Sequence, residues 1–267
     1  MTEGDAGVGP EVIARRDQIL IATCILLIGA LAWAYLVYLN SQASSAGASP
    51  MAMAGLRMPT DMAGGGAGVL RTFTMWSVMM IGMMAPSATP MLLLFATSQA
   101  RRGVRGAPTL TLSFGVGYLT IWIAFSLAAT LAHWTLDHAM LLSPSMAIAS
   151  RRVAGALCIG AGLYQLTPLK HGCLQHCQSP VGFLMSHWRA GPRGAFQMGL
   201  RHGVYCLGCC WALMAVLFAV GVMNLAGVVI LTVFILAERV GRGGAIISRV
   251  GGVAMIGVGV VLLAAGR

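Results

Sequence analysis

The stretch Met198-Gly199-Leu200-Arg201-His202-Gly203-Val204-Tyr205-Cys206-Leu207-Gly208-Cys209-Cys210-Trp211 runs unbroken into the apolar segment 212–223. Residues 202–223 therefore read as a helix crossing a bilayer, with a dense set of side-chain donors at its mouth. On a helix turning about 100° per residue, Met198, His202, Cys206 and Cys209 fall within a sector of roughly 80°. Cys210 sits beside them, one turn after Cys206. One face thus presents a thioether, an imidazole and two or three thiols. Cu(I) favours such soft donors, and Zn(II) takes thiols and imidazoles as well.

The whole chain agrees with a membrane setting. Its 267 residues are 58% hydrophobic and 9% charged, with a mean hydropathy of +0.82. A soluble chain of this length needs more charge to cover its exterior. The expected fold class is all-α, a polytopic transmembrane helix bundle whose first partner is the lipid bilayer. A net charge of +10 would point to nucleic acid in a soluble protein. Here the arginines fall between apolar segments and set topology, so no nucleic-acid partner is expected. Lys170 is the only lysine, and no G-x-x-x-x-G-K-[ST] surrounds it, which argues against a nucleotide-driven pump in this chain.

Seven spans are expected, at 18–39, 71–98, 110–133, 151–169, 202–223, 226–238 and 250–265. A polar tail, 1–17, precedes a single membrane domain, 18–267. The first apolar segment is too long for the core of a cleaved signal peptide, so it reads as a span. Residues 40–70, rich in Gly, Ala, Ser and Met, form an external loop, and 170–197 form a Cys/His-rich connection on the cytoplasmic side. Pro86 and Pro90 should interrupt the second span's hydrogen-bond ladder. The six tryptophans read mostly as interfacial anchors, Glu238 and Arg239 as a pair at the interface, and Gly251, Gly252, Gly257 and Gly259 as a site of close helix contact. With the N-terminus inside, 12 of the 17 lysines and arginines are cytoplasmic, which favours N-in and C-out. Arg151 and Arg152 fall outside, and six spans result if 224–238 does not cross.

In that orientation Cys173, Cys177, Cys206, Cys209 and Cys210 all lie on the reducing side, free to act as ligands rather than as disulfides. The connection before the cysteine helix contains His171, Cys173, His176 and Cys177, four donors in seven residues. It is short enough to fold back onto His202, Cys206, Cys209 and Cys210. A Zn(II) staple, or cysteines buried as small hydrophobes, would also explain these residues. The second span carries Met75, Met79 and Met83 in one i, i+4 row and Met80 and Met84 in another. Methionine is a common core filler, but the outer loop adds Met51, Met53, Met58 and Met62 with Asp61, which tilts the set toward copper. Cys206-Leu207-Gly208-Cys209 is a C-x-x-C at a helix start and could exchange disulfides, although no thioredoxin-like strand pattern surrounds it. His133 and His138 are weaker candidates for an outer site.

At Met75-Trp76 through Met84-Ala85-Pro86, at Gly199-Leu200-Arg201-His202-Gly203 and at Cys206-Leu207-Gly208-Cys209-Cys210-Trp211, the chain resembles a bacterial family. This is the family of predicted metal-binding integral membrane proteins, of unknown function. His176-Cys177-x-Ser179-Pro180 and Gly221-x-Met223-Asn224-Leu225 share the likeness, which covers roughly 71–240. The resemblance implies a helical membrane fold and a metal site at His176, Cys177, His202, Cys206, Cys209 and Cys210. It implies no activity.

The sequence therefore predicts a multi-pass protein of the bacterial inner membrane that binds a soft metal, Cu(I) with zinc as the alternative, and accepts or transfers it. The expected ligands are His171, Cys173, His176, Cys177, Met198, His202, Cys206, Cys209 and Cys210, with Met75, Met79 and Met83. Two other readings stand beside it. One is an accessory subunit of a copper-dependent membrane oxidoreductase with a structural metal site, and the other a membrane thiol oxidoreductase. Paired carboxylates, a Ser/His/Asp set and a dinucleotide fingerprint are all lacking, so neither hydrolysis nor dehydrogenation is supported, and enzymatic activity is not the expected role.

Overall fold

The computed structural model describes residues 10–47, 66–104, 106–143, 146–241 and 243–266, with side chains in the first helix from 18 to 42. Most of the expected tail, Met51, Met53, Met58, Met62 and Asp61, and Arg57, Arg105, Arg242 and Arg267 lie outside the described residues. Among the described residues the named elements are all helices: α1 (Pro10–Gly47), α2 (Gly66–Arg101), α3 (Ala107–His138), α4 (Arg151–Gln165), α5 (Pro168–Gln178), α6 (Pro180–His187), α7 (Gly191–Val220), α8 (Leu225–Val240) and α9 (Gly244–Ala265).

Five helices, α1, α2, α3, α7 and α9, are long and apolar enough to cross a membrane. α4 has 15 residues and α8 has 16, about 22 to 24 Å of helix against a hydrocarbon core of about 30 Å. The expected spans 151–169 and 226–238 are thus shorter helices than the five. The Cys/His-rich connection is not irregular: it folds into α5 and α6, and α7 begins at Gly191. α2 runs continuously through Pro86 and Pro90.

Local chemistry sets these boundaries. Ser150, Thr167 and Asn224 cap α4, α5 and α8, each side-chain oxygen accepting a backbone N–H of the first turn. Pro168 and Pro180 stand in the first turns of α5 and α6, where a missing N–H costs nothing. Gly221, at φ 94°, ends α7 in a backbone conformation that a side chain would strain.

α7 is central and packs against α3, α4, α5 and α8. It meets α3 backbone to backbone: a Cβ at Gly199 would fall on the Phe114 carbonyl, and one at Gly117 on the Phe196 carbonyl. The two helices run parallel, since Phe114 lies at Gly199 while His133 and Phe218 meet further along, their rings 6.2 Å apart. α4 and α9 also cross backbone to backbone, and antiparallel. A Cβ at Gly162 would sit 2.6 Å from the Gly252 carbonyl, and one at Gly259 2.6 Å from the Gly155 carbonyl. The last-span glycines Gly252 and Gly259 thus serve contact within the chain. Trp76 and Trp122 are fully buried rather than interfacial, because facing helices close over the middle of α2 and α3. α1 and α9 expose most of their apolar surface.

Candidate metal centre

Three thiols of α7, those of Cys206, Cys209 and Cys210, are buried at its contacts with α2, α3, α5 and α8. α5 reaches them because α7 carries Gly208. A Cβ there would stand 2.9 Å from Cys173 Sγ, so a side chain at 208 would have to displace that thiol. Tyr164 Oη donates to the Gly208 carbonyl from the other side. This approach sets Cys177 Sγ of α5 4.0 Å from Cys209 Sγ of α7. The hydrogen bond to Cys209, together with burial, holds the Cys177 thiol well above its ordinary range. Burial, and to a lesser degree Cys209, raises the Cys173 thiol too.

The backbone of the same turn is heavily used. The Cys206 carbonyl accepts from Cys209 Sγ at 3.1 Å, from Cys210 Sγ at 3.0 Å and from Arg239 Nη2 at 3.1 Å. Cys206 Sγ lies 3.0 Å from Tyr118 Oη, which also donates to the Met84 carbonyl at 3.3 Å. Arg239 Nη2 donates to Cys209 Sγ at 3.2 Å and Cys210 Sγ at 3.5 Å, and Nη1 to Ser87 Oγ at 2.6 Å.

One turn of charge surrounds the thiols. Lys170 Nζ lies 2.7 and 2.8 Å from the two Glu238 oxygens and also donates to Gln165 Oε1. Gln165 Nε2 donates to Glu238 Oε1 at 3.2 Å, and Gln178 Nε2 donates to the Glu238 carbonyl at 2.6 Å. Lys170 and Glu238 are 0% and 2% exposed, and burial pushes the ammonium below its ordinary range while Glu238 resists. Glu238 therefore pairs with Lys170 and not with its neighbour Arg239, because adjacent helix residues point about 100° apart. Arg239, 8% exposed, has no carboxylate within salt-bridge distance among the described residues. An unpaired buried cation costs several kcal/mol.

The imidazoles do not join the thiols. His171 Nδ1 bonds the Thr167 carbonyl at 2.8 Å, and its Nε2 is buried without a partner. His176 Nδ1 bonds the Gly172 carbonyl at 2.8 Å while its ring stacks on Tyr205, centroids 4.3 Å apart. His202 is ringed by Phe114, Tyr118 and Phe183, and its Nδ1 has no partner. Met198 belongs to a separate apolar cluster, its sulfur accepting the Arg189 N–H at 3.3 Å. Among the described residues no three His, Cys, Asp or Glu side chains are poised around one point as a ready metal site. The expected convergence of every loop and helix donor on one ion is thus not met. What is brought together is sulfur.

That sulfur extends along α2. Met75, Met79, Met80, Met83 and Met84 are buried in the same cluster as Cys206, Cys209, Cys210 and Met214, with Cys173 and Cys177 packed against it.

Residues 73–262 match the family model described as copper chaperone, PpoB2. The chain belongs to this copper chaperone family. No curated protein and no solved structure matches it. Family membership thus associates the chain with copper, the element that ligand softness had pointed to. The PpoB2 region holds every thiol and methionine just described, from Met75 to Met214, and Arg239 as well. Sequence reasoning did not single out Tyr118, Ser87 or Arg239 as neighbours of the thiols. A lone lysine and an acidic residue in an apolar chain were the available signals for the polar clasp, since such groups survive burial only as partners.

Proposed function

We propose that this chain is a membrane-embedded chaperone whose cargo is Cu(I), held first between Cys177 and Cys209. The observation that carries this reading is their 4.0 Å separation across two helices. Two sulfurs on one ion at about 2.3 Å each stand roughly 3.8 Å apart when tetrahedral and roughly 4.6 Å apart when linear, so the pair needs little movement to share an ion. Cys206 and Cys210 lie within the same turn as further thiols. The buried methionines supply weaker soft donors along α2, suited to passing an ion that hydrocarbon would otherwise exclude.

The topology goes with seven spans, N-in and C-out, in a bacterial inner membrane. Parallel α3 and α7 require the chain to return between them, which falls to α4. Arg239, at the far end of α8, lies beside Cys209 near the middle of α7, so α8 runs back along α7. Short helices can cross where the bilayer thins. The bias of 12 in 17 cations supports the orientation, which puts the thiols on the reducing side.

Cu(I) affinity of the detergent-purified chain, measured by competition with a chromophoric chelator under anaerobic conditions, tests this reading. Cys177→Ser and Cys209→Ser should each weaken binding at least about a hundredfold, because one remaining thiolate loses the chelate. Unchanged affinity in both variants sinks it, and tighter binding of Zn(II) than of Cu(I) makes the site a zinc staple.

A further inference from the structure

We infer that Arg239 makes the thiol site selective for a monovalent ion, acting as the fixed countercharge of a metal held by two thiolates. This rests on the copper reading above and specifies the class of cargo. The observations are a balance of charge and a count of ligands. Lys170 and Glu238 cancel each other at 2.7 Å. Arg239 stands alone, with Nη2 on Cys209 Sγ and Cys210 Sγ and Nη1 on Ser87. Among the described residues Arg239 is therefore the charge at this site that no carboxylate balances.

When a metal enters on two thiols, each loses its S–H proton to the aqueous phase as its metal–sulfur bond forms. A monovalent ion bound this way makes a complex of charge minus one, which Arg239 neutralises. A divalent ion on the same two sulfurs makes a neutral complex and leaves the guanidinium uncompensated in a low-dielectric setting. A divalent ion reaches charge minus one only with a third thiolate, and no triad of donors is poised among the described residues. Two sulfurs and one permanent cation together favour Cu(I) or Ag(I) over Zn(II). Arg239 touches the ligands and not the ion, so it is a positioning and charge-setting residue.

The test compares the full chain in detergent with Arg239→Met and Arg239→Lys, measuring Cu(I), Ag(I) and Zn(II) affinities by chelator competition. The expected result is a loss of about thirtyfold or more for Cu(I) and Ag(I) in Arg239→Met, a change below about threefold for Zn(II), and recovery of Cu(I) to within about fivefold in Arg239→Lys. An unchanged ratio of Cu(I) to Zn(II) affinity in Arg239→Met overturns the inference, as does a Lys variant as impaired as the Met variant. A merely structural arginine would weaken all three ions together. Circular dichroism shows whether Arg239→Met folds. If it does not, Arg239→Lys decides: a ratio within about threefold of wild type supports the countercharge, and a fall of more than about tenfold overturns it. A wild-type chain whose Cu(I) binding ignores Cys177→Ser and Cys209→Ser ends the copper reading itself, an outcome separate from any result at Arg239.

Discussion

The thiol end of the sulfur core and the methionine stripe of α2 are buried in the same cluster, yet they are built on different physics. At the thiol end Cys206, Cys209 and Cys210 each have a hydrogen-bonding partner, and Arg239 and the Lys170–Glu238 pair stand around them. Along α2 the thioethers of Met75, Met79, Met80, Met83 and Met84 are held by packing alone. Buried polar atoms without hydrogen-bond partners occur in both regions, Arg239 Nε and His202 Nδ1 at the thiol end and Trp76 Nε1 and Ser77 Oγ on α2. A network of charged and polar groups fixes positions, whereas dispersion contacts allow small adjustments. The first suits retention of an ion, and the second suits its passage.

The largest effect expected from breaking this contrast is on the polar clasp. Glu238→Ala leaves Lys170 buried and unpaired, and should cost about 3–5 kcal/mol. Thermal unfolding in detergent measures it, and the double variant Lys170→Met, Glu238→Leu should recover most of the loss. Next come the methionines. Met79→Ala and Met83→Ala should each cost about 2–5 kcal/mol by opening a cavity, while Met79→Leu and Met83→Leu should cost under about 1.5 kcal/mol. If the thioethers form a path, the leucine variants keep Cu(I) stoichiometry and affinity at the thiols but slow copper delivery across proteoliposomes. Equal delivery rates would reduce the stripe to packing. The smallest effect is at the junction of the two regions: Tyr118→Phe removes the hydroxyl between Cys206 and Met84 and should cost about 1 kcal/mol, with a modest change in Cu(I) affinity.

Helices long and apolar enough to cross a membrane were legible because such runs stand out in composition, and the i, i+4 spacing put Met79 and Met83 on one face without saying what covers it. The site was legible only as a list of donors. Side-chain orientation decided which donors met: His176 satisfied itself on Gly172 and Tyr205, while Cys177, one residue on, faced Cys209. The partner of Glu238 could not be read from its neighbour in sequence, since it is 68 residues away. Likewise Arg239 finds Ser87 152 residues away, a contact that exists only because α8 doubles back along α7. The burial of Trp76 and Trp122 was not legible, because residue type alone does not separate a lipid interface from a helix interface.

Cys177 is half-buried and Cys209 is enclosed. If the proposed ion sits between them, an incoming thiolate would reach it from the α5 side and displace Cys177 while Cys209 still holds on. Handover on this proposal would be a stepwise substitution, with the cargo coordinated throughout.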